Sequence, residues 1–432
     1  MRFAAVLLLI AAACSATPTP DSDEPPDTTL PPTTTPPVSQ TEVTPDASSP
    51  LGADGNHRAT VTATASTWDV TSLELSDSPI SRIASIDVDG EVIVAVRDTA
   101  GRTQLVPLDD PATATDLGVT SGPLRLGTGT DGPAVIAFPA DLSQLSEPAL
   151  LSDGSWVYIA ANGAVVLWNG SQVARTESNA LPDGRVLVDE QDRILVLVDP
   201  SERYAHGILG DDAEAIGWMI LDTPSLTEIG SGQAIEPAVF ELRYPMWVDL
   251  DGDGTREILL TESGPGVGAR LVVHDESGRE IAASPPIGTG NRWRHAFAAG
   301  PAGPDGTAEI IEVVTPHLSG LLTAWTFDPN NPELTQRAVT PGFTSHAIGS
   351  RVLDGAAAVD LDGNGSDDVA LLRVSRTELV TLTREAEGFV VNQEFALPSA
   401  ATSNLLVLST TGGPLLLIGT RNGELALIQG SR

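Results

Sequence analysis

The sequence predicts an all-β protein, built as a β-propeller of four-stranded blades. One observation is that the apolar runs are short, rich in Val, Ile and Leu, and bounded by turn residues, as in EVIVAVRD (91–98), AVVLWNG (164–170) and PLLLIGTRNG (414–423). Runs of this kind are typical of strands and hairpins. The other observation is a related unit that recurs at an interval long enough for about four strands of 5–6 residues and their turns.

The repeated unit consists of a small or apolar approach, a turn rich in Gly and Asp, an acidic residue at a constant offset, and a strand. The three clearest copies are WVDLDGDGTREILL (247–260), AAGPAGPDGTAEIIEV (298–313) and AVDLDGNGSDDVALLRV (358–374). Their turns begin at Asp249, Pro301 and Asp360, so the unit recurs after 52 and then 59 residues. A four-stranded unit with this spacing predicts propeller blades.

Seven blades are expected, with six or eight as alternatives because residues 120–150 divide poorly into strands. The last unit ends with ELALIQG (424–430) and is one strand short. TWDVTSLELS (67–76), from the start of the folded body, is predicted to supply that strand. Such closure of the ring removes exposed sheet edges.

The N-terminus, MRFAAVLLLIAAAC, has one arginine, an apolar stretch and small residues before Cys14, which is the layout of a secretory signal. The apolar stretch is shorter than the about 20 residues of a membrane span. Cys14 directly follows three alanines and resembles the lipidated cysteine of the bacterial lipobox; an ordinary signal cleaved near Ala16 is the alternative. We therefore expect a lipoprotein signal at 1–13, lipidation of Cys14, and an exported protein held on the extracytoplasmic face of the cell membrane.

Residues 14–56 are dominated by Thr, Pro, Ser and Asp and are predicted to form a disordered stalk, followed by the propeller at 57–432. The formal net charge is −35, and all 23 basic residues are arginine. Phosphate binding needs a basic face, so this charge argues against a nucleic-acid partner. It also argues against direct adsorption to an anionic membrane, which leaves the lipid anchor as the expected membrane contact.

Two of the repeated turns carry oxygen-bearing side chains at alternate positions. At positions 1, 3, 5, 7 and 9, the predicted ligands are Asp249, Asp251, Asp253, Thr255 and Glu257 in the first turn, and Asp360, Asp362, Asn364, Ser366 and Asp368 in the second. Position 7 would contribute its backbone carbonyl. Five or more oxygens with several negative charges suit Ca²⁺, so we predict two calcium sites. The alternative is a pair of solvated acidic turns.

The middle copy serves as an internal comparison, because Pro301 and Gly303 replace its first two ligands and leave only Asp305 and Glu309. We expect it to bind no metal and to be held by packing alone. None of these turns is an EF-hand, since leucine stands at position 12 where that loop needs glutamate, and an apolar strand replaces the exit helix.

The segments DLDGDGTREI and DLDGNGSDDV resemble the FG-GAP, or VCBS, repeat of integrin-type propellers, most clearly over 240–375. The resemblance implies a propeller with calcium in the hairpin between the first and second strands of a blade. Because that family is a scaffold with many functions, the resemblance implies the fold and calcium but no activity.

Loops expected on the opposite face concentrate histidine, arginine and aromatic residues. The candidate ligand-binding residues are Tyr204, His206, Arg292, Trp293, Arg294, His295, His317, His346 and Arg351. Arginines there would bind carboxylate or phosphate groups, and Trp293 or Tyr204 would stack on a sugar ring. One alternative is that these groups brace the loops against each other. Another is a zinc site of three histidines, which their sequence spacing does not favour.

These observations together predict a surface-tethered, calcium-stabilised propeller that acts as an extracellular ligand- or protein-binding module. Its expected partner is an extracellular glycan, a small acidic ligand or an envelope protein. No catalytic residue is assigned, because GxSxG, HExxH and Walker-type motifs are absent from the sequence. Two alternatives stay open: a carbohydrate-active enzyme, lyase or hydrolase, that uses the His/Arg-rich face, and a structural module of the envelope.

Overall fold

The computed structural model describes residues 52–129 and 132–432. Within them, regular structure consists of β-strands and two single-turn 3₁₀ helices, η1 (Pro111–Thr113) and η2 (Pro304–Gly306), so the predicted all-β class is confirmed. The same residues contain no helix that is both long and apolar enough to cross a membrane. The predicted signal, Cys14 and most of the predicted stalk lie outside the described residues.

The strands follow one another mainly as antiparallel hairpins. Those of the N-terminal half are β1 (Thr67–Glu74), β2 (Ile80–Val88), β3 (Glu91–Asp98), β4 (Arg102–Pro107), β5 (Thr115–Val119), β6 (Leu126–Gly129), β7 (Gly132–Val135), β8 (Ala149–Leu150), β9 (Trp156–Ile159), β10 (Val165–Trp168), β11 (Gln172–Thr176), β12 (Leu187–Val188), β13 (Ile194–Ser201), β14 (Glu214–Asp222) and β15 (Thr227–Gln233). Those of the C-terminal half are β16 (Val239–Phe240), β17 (Met246–Val248), β18 (Glu257–Gly264), β19 (Gly268–His274), β20 (Glu280–Ala283), β21 (Arg294–Gly300), β22 (Glu309–Val314), β23 (Leu321–Thr326), β24 (Thr335–Pro341), β25 (Phe343–Thr344), β26 (Ala357–Val359), β27 (Asp368–Arg373), β28 (Glu378–Glu385), β29 (Gly388–Ala396), β30 (Ala401–Thr410), β31 (Gly413–Thr420) and β32 (Glu424–Ser431).

Successive strands pair into four-stranded antiparallel units, which are the blades of a β-propeller. The units β2–β5, β8–β11 and β21–β24 form separate sheets, whereas β12–β15 and β16–β20 are joined by one pair, Ala215 with Phe240. In two units the first strand is interrupted: β16 and β17 both pair with β18, and β25 and β26 both pair with β27. The number of blades stays a prediction, because the hairpin β6–β7, in the segment that divides poorly, forms a two-stranded sheet of its own.

The last unit shows how the ring closes. Its strand order is β1-β32-β31-β30, and β1 pairs with β32 over its full length of 8 residues, from Thr67 opposite Ser431 to Glu74 opposite Glu424. The N-terminal strand therefore completes the C-terminal unit, as the sequence predicts for residues 67–76. This pairing covers an edge that would otherwise be free to associate with another chain.

Burial along the strands follows their place within each unit. The second strand β18 is buried at every residue, whereas the fourth strand β15 is mostly exposed. Inner strands lie between neighbouring sheets and are covered on both faces, so they are near-continuous apolar runs rather than alternating ones. Clusters such as the one containing Trp218, Phe240 and Trp247 fill the space between consecutive units.

Residues 54–56, at the end of the predicted stalk, make hydrogen bonds with the propeller. The side chain of Asn56 is buried, donates to the carbonyl of Ala299 (2.8 Å) and accepts from its N–H (3.0 Å). The N–H of Trp247 donates to the carbonyl of Asp54 (2.8 Å). These contacts use backbone groups and a polar side chain, so the polar composition of residues 52–56 gives no sign of them.

Candidate functional site

The connectivity of the strands places the two predicted kinds of loop on opposite faces. The acidic turns connect β17 to β18 and β26 to β27, that is, a first strand to a second strand. The segments 199–215 and 315–320 connect β13 to β14 and β22 to β23, a second strand to a third. In an antiparallel unit these connections lie at opposite ends of the strands. We call the two sides the acidic-turn face and the opposite face.

The first acidic turn is folded around the carboxylate of Asp249. That carboxylate accepts the backbone N–H groups of Gly252 (2.7 Å) and Gly254 (3.0 Å), and Asp251 accepts the N–H of Asp253 (3.2 Å). Both glycines have positive φ, 80° and 89°, a region that other residues rarely adopt. The glycines are therefore needed for the backbone path that brings the acidic side chains together.

The second acidic turn has the same conformation. Asp360 accepts the N–H groups of Gly363 (2.7 Å) and Gly365 (3.0 Å), whose φ values are again 80° and 89°. Asn364 accepts the N–H of Ser366 (2.7 Å), as Asp253 accepts that of Thr255 in the first turn (2.6 Å). The shared spacing of oxygen-bearing residues thus corresponds to a shared three-dimensional turn.

Negative charge is concentrated at both turns. Asp249, Asp251 and Glu257 each offer a carboxylate oxygen, and these oxygens lie within 4.8 Å of one another. Burial of Glu257, together with the three neighbouring aspartates, raises the pKa of Glu257 to about 7. In the second turn, burial and the carboxylates of Asp362 and Asp360 raise the pKa of Asp368 to about 6. Both donor sets consist of hard oxygens with excess negative charge, so their chemistry fits Ca²⁺.

The middle turn is stabilised by an ion pair in addition to packing, which corrects the expectation of packing alone. Glu309 accepts two hydrogen bonds from Arg384, from Nε (3.0 Å) and Nη2 (3.2 Å), and both side chains are 3% exposed. Arg384 lies on β28 of the next unit. A guanidinium group thus stands beside the acidic residue that is equivalent to Glu257 and Asp368.

On the opposite face, four of the predicted ligand-binding residues form one aromatic cluster. The indole of Trp293 is stacked with the rings of His295 (5.4 Å between centroids) and His317 (6.4 Å), and His346 meets it edge-on (5.0 Å). The rings of His317 and His346 are 4.5 Å apart. Among the described residues, these imidazoles do not form a group close enough to hold a metal ion.

The predicted stacking of Trp293 or Tyr204 on a sugar ring is wrong. Trp293 is 2% exposed and its indole N–H donates to the carbonyl of Glu241 (2.7 Å). Tyr204 is 7% exposed and packs against His206, which in turn bonds the carboxylate of Glu241. The loops that carry these rings fold inward, so the rings contact protein rather than solvent.

The arginines predicted to bind a ligand have separate surroundings. Arg294 is 1% exposed and forms a buried ion pair with Glu312, beneath the ring of Trp325. Adjacent residues of a strand point to opposite faces, which separates Arg294 from Trp293 and His295. Arg351 pairs with Asp183 (3.3 Å) and Asp211 (2.5 Å), whereas Arg292 is exposed. Arg294 and Arg351 therefore have structural partners of their own.

Sequence reasoning missed a buried ion-pair network, which we call the axial network, formed by Arg82, Arg125, Glu147, Arg185 and Asp354. Glu147 is within 2.5 Å of Arg82, 3.1 Å of Arg125 and 3.0 Å of Arg185. Asp354 is within 3.1 Å of Arg82 and 3.0 Å of Arg185. Although burial alone would raise it, the pKa of Glu147 is lowered to about 2 by the three guanidinium groups.

The members of this network lie on or near first strands, the strands that line the central channel of a propeller. The trace of this network in the sequence is a charged residue just before such a strand: Glu147, Arg185 and Asp354. It is seen in SEPALL (146–151), DGRVLV (183–188) and VLDGAAAV (352–359). Each charge belongs to a different unit, so no local motif connects them.

No known protein family and no curated protein matches this chain. Solved structures to which it is similar include BamB from Moraxella catarrhalis, at 13% identity and TM-score 0.42 over 84% of this chain and 98% of that one. Another is BBS1N in complex with ARL6DN, at 10% identity and TM-score 0.45 over 87% and 98%. A third is the computationally designed Ika8 protein, at 10% identity and TM-score 0.47 over 82% and 98%. At these identities no function follows from the likeness.

Proposed function

We propose that this chain is a binding module: a propeller tethered to the extracytoplasmic face of the cell membrane through Cys14, stabilised by two calcium ions, and engaging its ligand or protein partner on the opposite face. The observation that carries the binding role is a groove of about 700 Å³ on that face, lined by residues from several units. Concave sites of this size are typical of ligand binding.

Calcium is assigned to the acidic-turn face. The two turns share one hydrogen-bonding pattern. Within the described part of the chain, none of their ligand carboxylates forms an ion pair such as the one between Glu309 and Arg384. The side chains of Asp249, Asp251 and Glu257, and those of Asp360, Asp362 and Asp368, would supply the charged ligands. A cation bound there would offset the repulsion between the carboxylates and stabilise the folded state.

Calcium titration followed by calorimetry tests this assignment. We expect two ions per chain, with dissociation constants on the order of 0.1–1 mM, the range of extracellular calcium modules. Asp251→Asn and Asp362→Asn should each remove one ion. Asp305→Asn, in the middle turn, is the matched control and should leave both. Absence of calcium binding, or loss of an ion in the control variant, would contradict the assignment.

Membrane tethering rests on the sequence of the N-terminus and is tested separately. In cells that export the protein, the wild type should be found in the membrane fraction, and Cys14→Ser should appear in the soluble extracytoplasmic fraction. If Cys14→Ser stays in the membrane fraction at the level of the wild type, another part of the chain makes the attachment.

The binding role is tested by presenting the protein to glycans, small organic acids and purified envelope proteins. Ile348 lines the groove and is 69% exposed, so Ile348→Asp should abolish the binding that the wild type shows. Ile235 is 73% exposed and does not line the groove, which makes Ile235→Asp the matched control. A partner that binds both variants equally well would place the binding site elsewhere.

A further inference from the structure

The groove on the opposite face is formed by connections from several units. Its walls include the starts of β2 and β30, the loop between β22 and β23, the segment between β25 and β26, and the turns that follow β27 and β31. The residues with side-chain nitrogen in these walls are His317, His346, Arg376 and Arg421. Each comes from a different connection, so only the closed propeller brings them together.

The charge of this groove is opposite to that of the chain as a whole. The formal net charge is −35, with 58 acidic and 23 basic residues, yet none of the described residues that line the groove is Asp or Glu. Arg376 and Arg421 line it together with hydroxyl groups such as that of Thr402. A concave surface of one sign attracts ligands of the other sign and concentrates them locally. The groove therefore favours an anion.

The two arginines differ from most others in having no carboxylate partner within the described part of the chain. Many surface arginines elsewhere are paired, as Arg270 is with Glu280 (2.8 Å) and Arg373 is with Glu394 (3.1 Å). Arg376 donates one hydrogen bond to the carbonyl of Ala401 (3.1 Å). The remaining N–H groups of its guanidinium are available to a ligand, and a guanidinium matches the geometry of a carboxylate or phosphate.

Two imidazole nitrogens in the same walls lack a protein partner. His346 is 4% exposed and its Nδ1 is within hydrogen-bond distance of Ser345 Oγ (3.0 Å), but its Nε2 is buried without a hydrogen bond. The Nε2 of His317 is likewise buried without a hydrogen bond. A buried polar atom left without a hydrogen bond is unfavourable, so each such atom in a native protein needs an explanation, and a ligand that supplies the missing hydrogen bond is one.

Burial disfavours the protonated form of both histidines. Burial, followed by the nearby His206 and Arg376, lowers the pKa of His317 to about 4. Burial, followed by His295, His317 and Arg376, lowers the pKa of His346 well below its ordinary value. The positive charge of the groove thus comes from Arg376 and Arg421, while the imidazoles offer uncharged hydrogen-bonding nitrogens.

We propose that this groove binds a small organic molecule with an oxyanion head group, a carboxylate or a phosphate, and an apolar body. The inference rests on the proposed binding role and names the chemistry of its ligand. Arg376 and Arg421 bind the head group, with His317 and His346 beside it. Ile348, which also lines the groove, contacts the apolar body. The volume of about 700 Å³ lies within the range of about 300–1,000 Å³ for small-molecule sites.

The test compares three probes of similar size, phenylacetate, phenyl phosphate and the uncharged phenylacetamide, by ligand-observed NMR titration at saturating calcium. We expect at least one of the two anions to bind and the amide to bind at least about ten-fold more weakly, since charge-assisted hydrogen bonds contribute about 1.5–3 kcal/mol. The tighter anion identifies the head group. If neither anion binds at millimolar concentration, or the amide binds equally well, the proposal is overturned.

Substitutions locate the binding in the groove. Arg421→Gln and Arg376→Gln should each weaken the tighter anion by at least about ten-fold. Arg421 is exposed, so its variant is expected to fold even if the other does not. Arg337 is exposed, has no carboxylate partner among the described residues and lies outside the groove, so Arg337→Gln is the control and should bind normally. Unchanged affinity in Arg421→Gln would refute the site, and the two-ion calcium titration would be unaffected by that result.

Discussion

Asp354→Asn should destabilise the propeller more than Arg185→Met, although the two side chains are equally buried, each 2% exposed. The axial network contains three guanidinium groups and two carboxylates, so its formal charge is positive. Asp354 accepts from Arg82 (3.1 Å) and from Arg185 (3.0 Å). Removing this carboxylate leaves Glu147 alone to balance three cations, of which Arg185 is fully buried and Arg82 and Arg125 are partly exposed. Loss of one partner of a buried pair costs about 3–5 kcal/mol.

Removing Arg185 has a smaller expected effect. Glu147 keeps its contacts with Arg82 and Arg125, Asp354 keeps its contact with Arg82, and the network becomes formally neutral. Two of the guanidinium nitrogens of Arg185, Nε and Nη1, are buried without a partner, so their removal relieves a desolvation cost. Methionine fills much of the vacated volume. We therefore expect a loss of about 1–2 kcal/mol.

Scanning calorimetry at pH 7 and saturating calcium measures both effects. An unfolding entropy of about 2.1 cal/mol/K per residue gives roughly 0.8 kcal/mol/K for a folded body of about 380 residues. Asp354→Asn should then lower Tm by about 4–6 °C and Arg185→Met by about 1–3 °C. Glu394→Gln breaks the more exposed pair with Arg373 and should change Tm by less than about 1 °C.

The pH dependence gives an independent check. Although burial alone would raise it, the pKa of Asp354 is held far below its usual range by Arg82 and Arg185. A carboxylate whose pKa is depressed in the folded state contributes its full stability above its unfolded pKa, about 3.9, and loses that contribution as the pH falls further. The gap in Tm between wild type and Asp354→Asn should therefore narrow below about pH 4. An equal or larger effect of Arg185→Met at pH 7 would refute the charge argument.

Three further outcomes are expected. Removing calcium with EDTA should lower the Tm of the wild type by about 1–4 °C from its value in 1 mM calcium, which is what two sites with dissociation constants on the order of 0.1–1 mM contribute. The decrease should be smaller in Asp251→Asn, and an unchanged melt of the wild type would contradict calcium stabilisation. Burial and the nearby carboxylate of Glu241 raise the pKa of Glu214 to about 10, so the folded state holds a proton that the unfolded state releases above about pH 4.5. Glu214→Gln should therefore stabilise the protein more at pH 8 than at pH 5, by at most about 1.4 kcal/mol per pH unit in urea titrations, and an equal effect at both pH values would contradict this reasoning. Thr71→Pro, opposite Leu427 in the middle of β1, should weaken the pairing of β1 with β32. Light scattering should then show dimers or larger species formed through the uncovered edge of β32, whereas a stable monomer would show that closure tolerates the substitution.

The features that sequence reasoning predicted correctly are those determined locally. Short apolar runs between turn residues identified the strands, and the missing strand of the last unit pointed to residues 67–76. The conformation of the two acidic turns follows from glycines at fixed positions beside aspartates. In each case the information lies within one hairpin or in the count of strands, so no knowledge of distant contacts was needed.

The features that were missed depend on how loops from separate units meet. Composition grouped Trp293, Arg294 and His295 as one exposed surface, but strand alternation and inward folding separate them and bury all three. Sequence reasoning did not identify the two arginines of the groove, because they are far apart in the chain and meet only in the folded propeller. Arg376 in VSRTEL (374–379) and Arg421 in TRNGEL (420–425) belong to ordinary hairpin turns, and only the arrangement of the blades brings them to one groove.

The scarcity of basic residues makes the position of each arginine informative. Acidic residues outnumber basic ones by 58 to 23, so a surface guanidinium placed without constraint would lie near a carboxylate and pair with it. That happens for most arginines, including those of the axial network. Arg376 and Arg421 stay unpaired because the described residues that line their shared groove include no carboxylate. The two guanidinium groups repel each other, which disfavours their meeting in one groove. An oxyanion bound between them would attract both groups and so offset this repulsion.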